Sequence, residues 1–467
     1  MAYHFIECNR EQEYLLPVSL KEWLSEGDLV WFIIDAVGQM DLRGIYNKYR
    51  IDGKGQAAYE PSMMVSILLY AYCMGERSSR KIERLCERDI AFKIITANKV
   101  PDHTSICRFR KENGERLGSL FTEVLKLCSK AGLVKLGVVA LDGVKIKADA
   151  ALESNRTYAH IEKEVKKMLL EAEAVDAKED ELYGRDKRGD EIPEGLRDRK
   201  SRLKRLKECK ERLEMEAKEE AVKQQEKIET REAVETESGK KKRGRKPKEA
   251  VFEPQEETKA NITDPESRIM KTRCGYIQGY NGQAVVTEGQ IIVAAELTNK
   301  ENDVKELHPM VKKARENIEA IKKDGIEGRK GIGDMTVVLS DAGYCSEKNL
   351  KEMEGEEVEH IMATKKDWKE RKAMRESPLP RGRIPNGLSL KERMQRKLLT
   401  KRGKGLYKKR GQIVEAVFGQ IKGCRGIVKF MRRGLLACRE EWKMICATHN
   451  LLKLWRSTTV LAAQTVL

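Results

Sequence analysis

The chain has no apolar run of roughly 18 residues, so nothing in it reads as a membrane-spanning helix. Its first residues, MAYHFIECNREQEYLLP, lack the basic-then-apolar layout of a signal peptide. The 11 cysteines are scattered without a CxxC pair, and the 6 histidines do not cluster with them. A zinc site and a disulfide framework are therefore poorly supported, and reduced thiols in a cytoplasmic protein are the expectation. Between 161 and 260 the only aromatics are Tyr183 and Phe252, while 56 of the 100 residues are charged. Such a stretch cannot bury much apolar area. Acid is scarce elsewhere. From 361 to 440 there are 24 Lys+Arg against 6 Asp+Glu, a net of +18, which accounts for the whole excess of a chain formally at +17. A basic surface of that size suits a polyanion, foremost a nucleic-acid backbone. Neither a membrane nor a nucleotide cofactor is expected as a partner.

A length of 467 residues and a hydrophobic fraction of 40% allow two or three domains. Residues 1–135 read as helical. Pro61 opens the apolar helix PSMMVSILLYAYCMG, ended by Gly75, and Ser78 or Ser79 is placed to cap the next one. The short helices that follow, with Arg80, Lys81, Arg108 and Arg110 on display, suit a helix-turn-helix module, although many small helical bundles share this pattern. Residues 161–260 form a charged insertion. IEKEVKKMLLEAEAV and RKSRLKRLKECKERLEMEAKEEAVKQQEKI read as long solvated helices, a helical hairpin in outline. Its later segment GKKKRGRKPK carries Arg243 and Arg245 in an AT-hook-like arm for the minor groove; the plainer reading is a basic linker.

The pieces 136–160 and 261–467 read as one α/β domain, a mixed sheet flanked by helices. Val138–Leu141 and Val337–Ser340 are short apolar runs expected to be strands buried on both faces. Each stops at an aspartate, Asp142 or Asp341, followed within two residues by glycine. TEGQ separates the halves of a hairpin in GYNGQAVVTEGQIIVAAELT, and HIMATKK adds a further strand. Glu415 sits almost alone as an acid in YKKRGQIVEAVFGQIKGCRG, where Ile413, Val414, Val417, Phe418 and Ile421 recur at helical spacing. An aspartate at a strand end is often only a turn former or a cap, and the plain reading of one acid is that it balances basic neighbours. Taken together, three carboxylates gathered at one sheet edge suit a two-metal phosphoryl-transfer site, because hard cations take oxygen ligands. Asp303, in TNKENDVKEL at an apparent helix start, is the one serious competitor for a catalytic acid, with N-capping the simpler reading.

The pieces LDGVKIKADA, GYIQGYNGQ, LSDAGYCS and YKKRGQIVEAVFGQIKG, with YEPSMMVSILLYAYCMGERSSRKIE and PDHTSICRFRK ahead of them, resemble the bacterial insertion-sequence transposases with a DDE site on an RNase H-like fold. The similarity is greatest to the InsH-like set, in the group of insertion sequence eleven-eighty-two. It implies Asp142, Asp341 and Glu415 as catalytic, metal-binding acids holding two Mg²⁺ (or Mn²⁺) ions. It implies Tyr280, Asn281 and Gln283 beside them on the second strand. Tyr407, Arg410, Lys422 and Arg425 would hold DNA near the cut. Two features depart from the family pattern. One extra residue separates Arg410 from Glu415, and Val144 stands where many relatives have Thr.

The resemblance implies cut-and-paste transposition by a homodimer on double-stranded DNA. The helical N-terminus would read the terminal inverted repeats, and a nucleoid-associated protein in the bacterial cytoplasm is the expectation. A nuclease or resolvase that cuts without joining, and an inactive or domesticated DNA-binding protein, are the alternatives.

Overall fold

The computed structural model describes residues 19–49, 57–168, 170, 194–238, 247, 249–324, 333–365, 367–376, 382, 385 and 387–465. The AT-hook-like residues Arg243 and Arg245 lie outside them. The N-terminal part is helical as expected, with helices Leu29–Gly38, Pro61–Cys73, Ser79–Arg88, Ile90–Ile95, His103–Glu112 and Gly114–Lys130. Pro61 begins its helix behind Glu60, whose side chain accepts from the Met63 amide. That fits a residue with a fixed φ and no donor to lose. Ser78 is the N-cap of the next helix but makes no side-chain cap bond. Glu76 Oε1 accepts from the Arg77 and Ser78 amides instead, at 2.9 and 2.8 Å.

Among the described residues, eight strands follow in chain order: β1 (Val138–Lys147), β2 (Asn155–Thr157), β3 (Lys259–Asn261), β4 (Arg268–Thr272), β5 (Gly275–Thr287), β6 (Ile292–Thr298), β7 (Val337–Ser340) and β8 (Glu359–Met362). The main sheet runs β4–β5–β1–β7–β8, with β6 also on β5. The β1, β5 and β6 strands are antiparallel neighbours, while β7 and β8 run parallel to β1. This is the mixed, helix-flanked sheet of an RNase H-like domain. Every residue of β7 is buried, and so are Val139, Ala140 and Leu141. Their β-branched and apolar content suits strands covered on both faces.

One apolar core runs from Leu29 through the sheet to Leu454, so the N-terminal helices and the sheet share it. The Leu435–Thr465 helix crosses between them. From it Trp442, fully buried, covers Gly282, and its indole N–H donates to Gln283 O at 3.1 Å. The charged insertion leaves the sheet through a neck of β2 paired antiparallel with β3, and Glu216 of its long helix pairs with Arg268 on β4. It has its own small apolar cluster: Ile161 and Val165 meet Leu206, Cys209 and Leu213 of the Glu194–Ser238 helix.

Candidate active site

The last paired residues of β1 and β7 are Leu141 and Ser340. Asp142 and Asp341 are therefore the next residues on two adjacent parallel strands. The sequence suggested that the first strand stops at Asp142. It runs on to Lys147, because β5 continues the ladder with Asp142 opposite Ala284. What ends there is β7, and its end opens a notch in the sheet beside Asp142.

Asp142 is mostly buried. Its Oδ1 accepts from the Gly143 amide at 2.9 Å, and its Oδ2 from Arg410 Nη1 at 2.7 Å. Burial pushes its carboxyl up to about 6; the Arg410 charge opposes this, and the Asp341 charge adds to it. Asp341 Oδ1 accepts from the Gly343 amide at 2.7 Å. Arg410 Nη2 donates to Glu415 Oε1 at 2.8 Å, so one guanidinium joins Asp142 to Glu415. Glu415 is the open member of the trio, with 59% of its side chain exposed against 10% for Arg410.

The run bearing Glu415 is helical from Lys401 to Cys424, but not α throughout. Gly411–Glu415 and Gln420–Cys424 are π turns, separated by an α turn at Ala416–Gly419. A π turn closes i to i+5 and takes up an extra residue within a helix. The extra residue between Arg410 and Glu415 is absorbed there, and the two side chains meet. Ile413, Val414, Val417, Phe418 and Ile421 are buried, as their spacing predicted.

Beside Glu415 lies a cleft of about 510 Å³ lined by Lys365, Lys404, Tyr407, Lys408, Arg410 and Glu415, among others. The Arg410 guanidinium carbon lies 5.9 Å from the Tyr407 ring centre. Arg80, Lys81 and Arg108 are exposed. Three other expected DNA contacts are turned inward. Arg410 is buried between two carboxylates. Arg110 is buried, with its guanidinium donating to Arg77 O at 2.7 Å and Ser79 Oγ at 2.5 Å. Arg425 donates to Thr448 Oγ1 at 2.8 Å and to Ile445 O at 3.0 Å, and burial lowers its pKa to about 10. The helical pattern put these arginines near the surface, but their reach lets them bond carbonyls under it. Lys422 is half-buried and donates to Lys145 O at 2.6 Å, which ties the π turn to β1 beside the notch.

Asp303 corrects a sequence expectation. It does precede a 3₁₀ turn, yet its side chain caps nothing. Its Oδ1 accepts from Asn281 Nδ2 at 2.6 Å and Gln283 Nε2 at 2.7 Å, and Lys145 Nζ lies 3.6 Å away. Tyr344 donates to Gln283 Oε1. Asn281 and Gln283 thus stand beside the notch on β5, whereas Tyr280 turns away, fully buried, and donates to Asp264 Oδ1 at 2.8 Å. Lys145 and Tyr344 escaped the sequence reading, which took Asp303 for a cap. A signal for Asp303 was present in the hairpin: β6 pairs Thr298 with Asn281, so residues just beyond Thr298 return to that end of β5.

The donors at the notch are carboxylate oxygens, the type a hard divalent cation takes. Arg410 now supplies positive charge between Asp142 and Glu415. Among the described residues, no three Asp, Glu, His or Cys side chains converge on a metal position. The donor set thus fits a divalent ion in its chemistry, while a guanidinium holds part of the space.

An RNase H-like sheet with acids at the β1–β7 notch and a basic cleft beside them defines an enzyme that works on nucleic acid. Comparison with known families gives the kind. Residues 18–112 match the family model described as Transposase domain (DUF772), and residues 251–451 match the one described as Transposase DDE domain. With both regions in this order, the chain is a DDE transposase of the insertion-sequence kind, a DNA-binding nuclease and strand transferase. These models do not distinguish the InsH-like group within that class. No match was found among curated proteins or among solved structures. Asp341 and Glu415 fall inside the second matched region, and Asp142 lies between the two. DDE transposases use divalent metal ions. No helix among the described residues is long and apolar enough to cross a membrane.

Proposed function

We propose that Asp142, Asp341 and Glu415 are the catalytic acids of a cut-and-paste transposase of the InsH-like group, and that together they bind two Mg²⁺ or Mn²⁺ ions. The observation that carries this reading is the pairing of Leu141 with Ser340, which makes Asp142 and Asp341 consecutive neighbours at the end of two parallel strands. When bound, the ions lower the pKa of an attacking water or 3′-hydroxyl and stabilise the leaving oxygen. Asp142 is anchored by the Gly143 amide and Asp341 by that of Gly343, so neither carboxylate depends on solvent for its orientation. Arg410 holds Glu415 towards Asp142 across the π turn. Tyr407 and the lysines of the adjoining cleft receive the phosphates of the element's end.

The helical region 1–135 reads the terminal inverted repeats through Arg80, Lys81 and Arg108. Residues 136–160 and 261–467 carry the chemistry, and the insertion at 161–260, with Arg243 and Arg245, adds DNA contacts. The protein works as a homodimer that pairs two ends, on DNA of the bacterial nucleoid. Asp341→Ala tests the acids. It should leave binding to end DNA within about 2-fold while abolishing Mg²⁺-dependent cleavage, since removing a ligand leaves the phosphate-binding surface intact. Cleavage at the wild-type rate would remove Asp341 from the site.

A further inference from the structure

We propose that Asp303 is a fourth functional acid of this transposase, a positioning residue that sets Asp341 and with it the affinity of the site for divalent cations. The inference rests on the reading of Asp341 as a metal-binding acid.

Asp303 and Asp341 face one small space. A Cβ on Gly343 would stand 2.8 Å from Asp341 Oδ1 and 3.2 Å from Asp303 Oδ2. The same acid crowds Gly143, where a Cβ would lie 2.5 Å from Gln283 Nε2, 2.7 Å from Asp303 Oδ1 and 2.9 Å from Asn281 Oδ1. Asp303 thus lies against both glycines that follow the proposed catalytic aspartates.

A carboxylate can only accept, so Asn281 and Gln283 must turn their NH₂ groups towards Asp303. For Gln283 this leaves Oε1 to accept from Tyr344, three residues beyond Asp341. A second tie closes the frame: Asn349 Nδ2 donates to Val304 O at 2.7 Å and to Tyr344 O at 2.8 Å. The turn after Asp303 and the loop after Asp341 are thereby clamped together. For Asn281 the same constraint directs Oδ1 towards Gly143, where this atom is buried and has no hydrogen-bond partner. A buried acceptor without a donor is costly unless a cation or a bound water completes it. Among the described residues, Lys145 is the cation that pairs with Asp303, at 3.6 Å. Two carboxylates that face one small space, next to an unpaired carbonyl oxygen, favour a cation at this end of the notch.

The test measures Mn²⁺ affinity by calorimetry on the full chain, without DNA, for wild type and four variants. Asp303→Asn keeps an acceptor for both amides and removes the charge. Its Mn²⁺ affinity should fall about 10- to 100-fold, the usual range for altering an outer-shell partner of a metal ligand, here through the lost charge. Tyr344→Phe removes only the hydroxyl that links Gln283 to the Asp341 loop, and it should weaken Mn²⁺ binding about 10-fold. Glu306→Gln, in the same turn but paired with Lys300 at 3.0 Å, should bind as wild type. Asp341→Ala separates the two ideas. If it loses Mn²⁺ binding while Asp303→Asn and Tyr344→Phe keep wild-type affinity, the role of Asp303 is wrong and that of Asp341 stands. If Asp341→Ala itself binds Mn²⁺ normally, the underlying reading fails. Should Asp303→Asn not fold, Tyr344→Phe decides alone.

Discussion

Arg410 shows what a single side chain decides in this site. Its two terminal nitrogens meet Asp142 and Glu415 at 2.7 and 2.8 Å; burial works against its charge, and Asp142, Tyr407 and Asp341 together outweigh it. Removing it leaves Asp142 buried beside Asp341 with no countercharge. We expect Arg410→Met to destabilise the metal-free protein by about 3–5 kcal/mol, the range for breaking one side of a buried pair. Mn²⁺ should recover more stability in this variant than in wild type. Urea melts with and without Mn²⁺ measure both effects, and an unchanged midpoint would show that the guanidinium is not needed as countercharge. The three acids were readable in the sequence because strand-end aspartates and a lone glutamate in a basic helix are local patterns. The inward turn of Arg410, Arg110 and Arg425 was not, since each depends on which carbonyl or carboxylate a distant element brings within reach.

His449 offers a pH handle at the same scale. It is buried and donates from Nε2 to Gln290 O at 2.9 Å, and burial lowers its pKa from 6.5 to about 3. A depressed pKa means the folded state binds fewer protons. Its contribution is present above pH 6.5 and is lost as pH falls towards the folded value. Near pH 5 the loss is about 2 kcal/mol. His449→Gln should flatten the fall in melting temperature between pH 7 and 5; an unchanged slope would place the acid sensitivity elsewhere.

Among elements, the π turn at Gly411–Glu415 carries the most weight. It reconciles an insertion that looked like a defect of the motif with an intact contact between Arg410 and Glu415. Inserting an alanine after Gln412 exceeds the one residue that the π turn takes up, and should swing Glu415 by about 100° around the helix axis, away from Arg410 and the notch. We expect near-wild-type helicity by circular dichroism with loss of DNA cleavage. Retained cleavage would mean that Glu415 need not face Asp142. Strand positions followed well from apolar runs and turn residues, and β5, β6, β7 and β8 lie where those signals put them. The end of β1 did not follow, because its last residues are held by pairing with β5 rather than by their own apolar content. Asp303 was misread for a related reason: a helix start with an aspartate is a strong local signal, and the amides that claim the side chain sit on another strand.

For the whole molecule, the N-terminal helices and the sheet share one core, and a buried ion pair fastens them. Arg77 donates to Glu441 Oε1 at 2.8 Å and to Lys429 O at 2.6 Å, and Glu441 also accepts from the Met431 and Arg432 amides. Arg77→Met should cost about 3–5 kcal/mol by urea unfolding. A loss below about 1 kcal/mol would mean that the pair does not couple the two parts. With the net charge of +17 and the basic stretch around the cleft, binding to end DNA should weaken steeply with salt. Fluorescence anisotropy across a salt series measures it, and a flat dependence would contradict a phosphate-binding surface.

The central claim is that the β1–β7 notch with Glu415 both cuts and joins DNA. Incubating the purified protein with pre-cleaved element ends, a plasmid and Mg²⁺ tests it most directly. The account predicts ends joined to the plasmid by wild type, and none by Asp142→Ala, Asp341→Ala or Glu415→Ala variants that still bind the ends. Cutting of intact ends with no joined product, or joining that survives these substitutions, would contradict it.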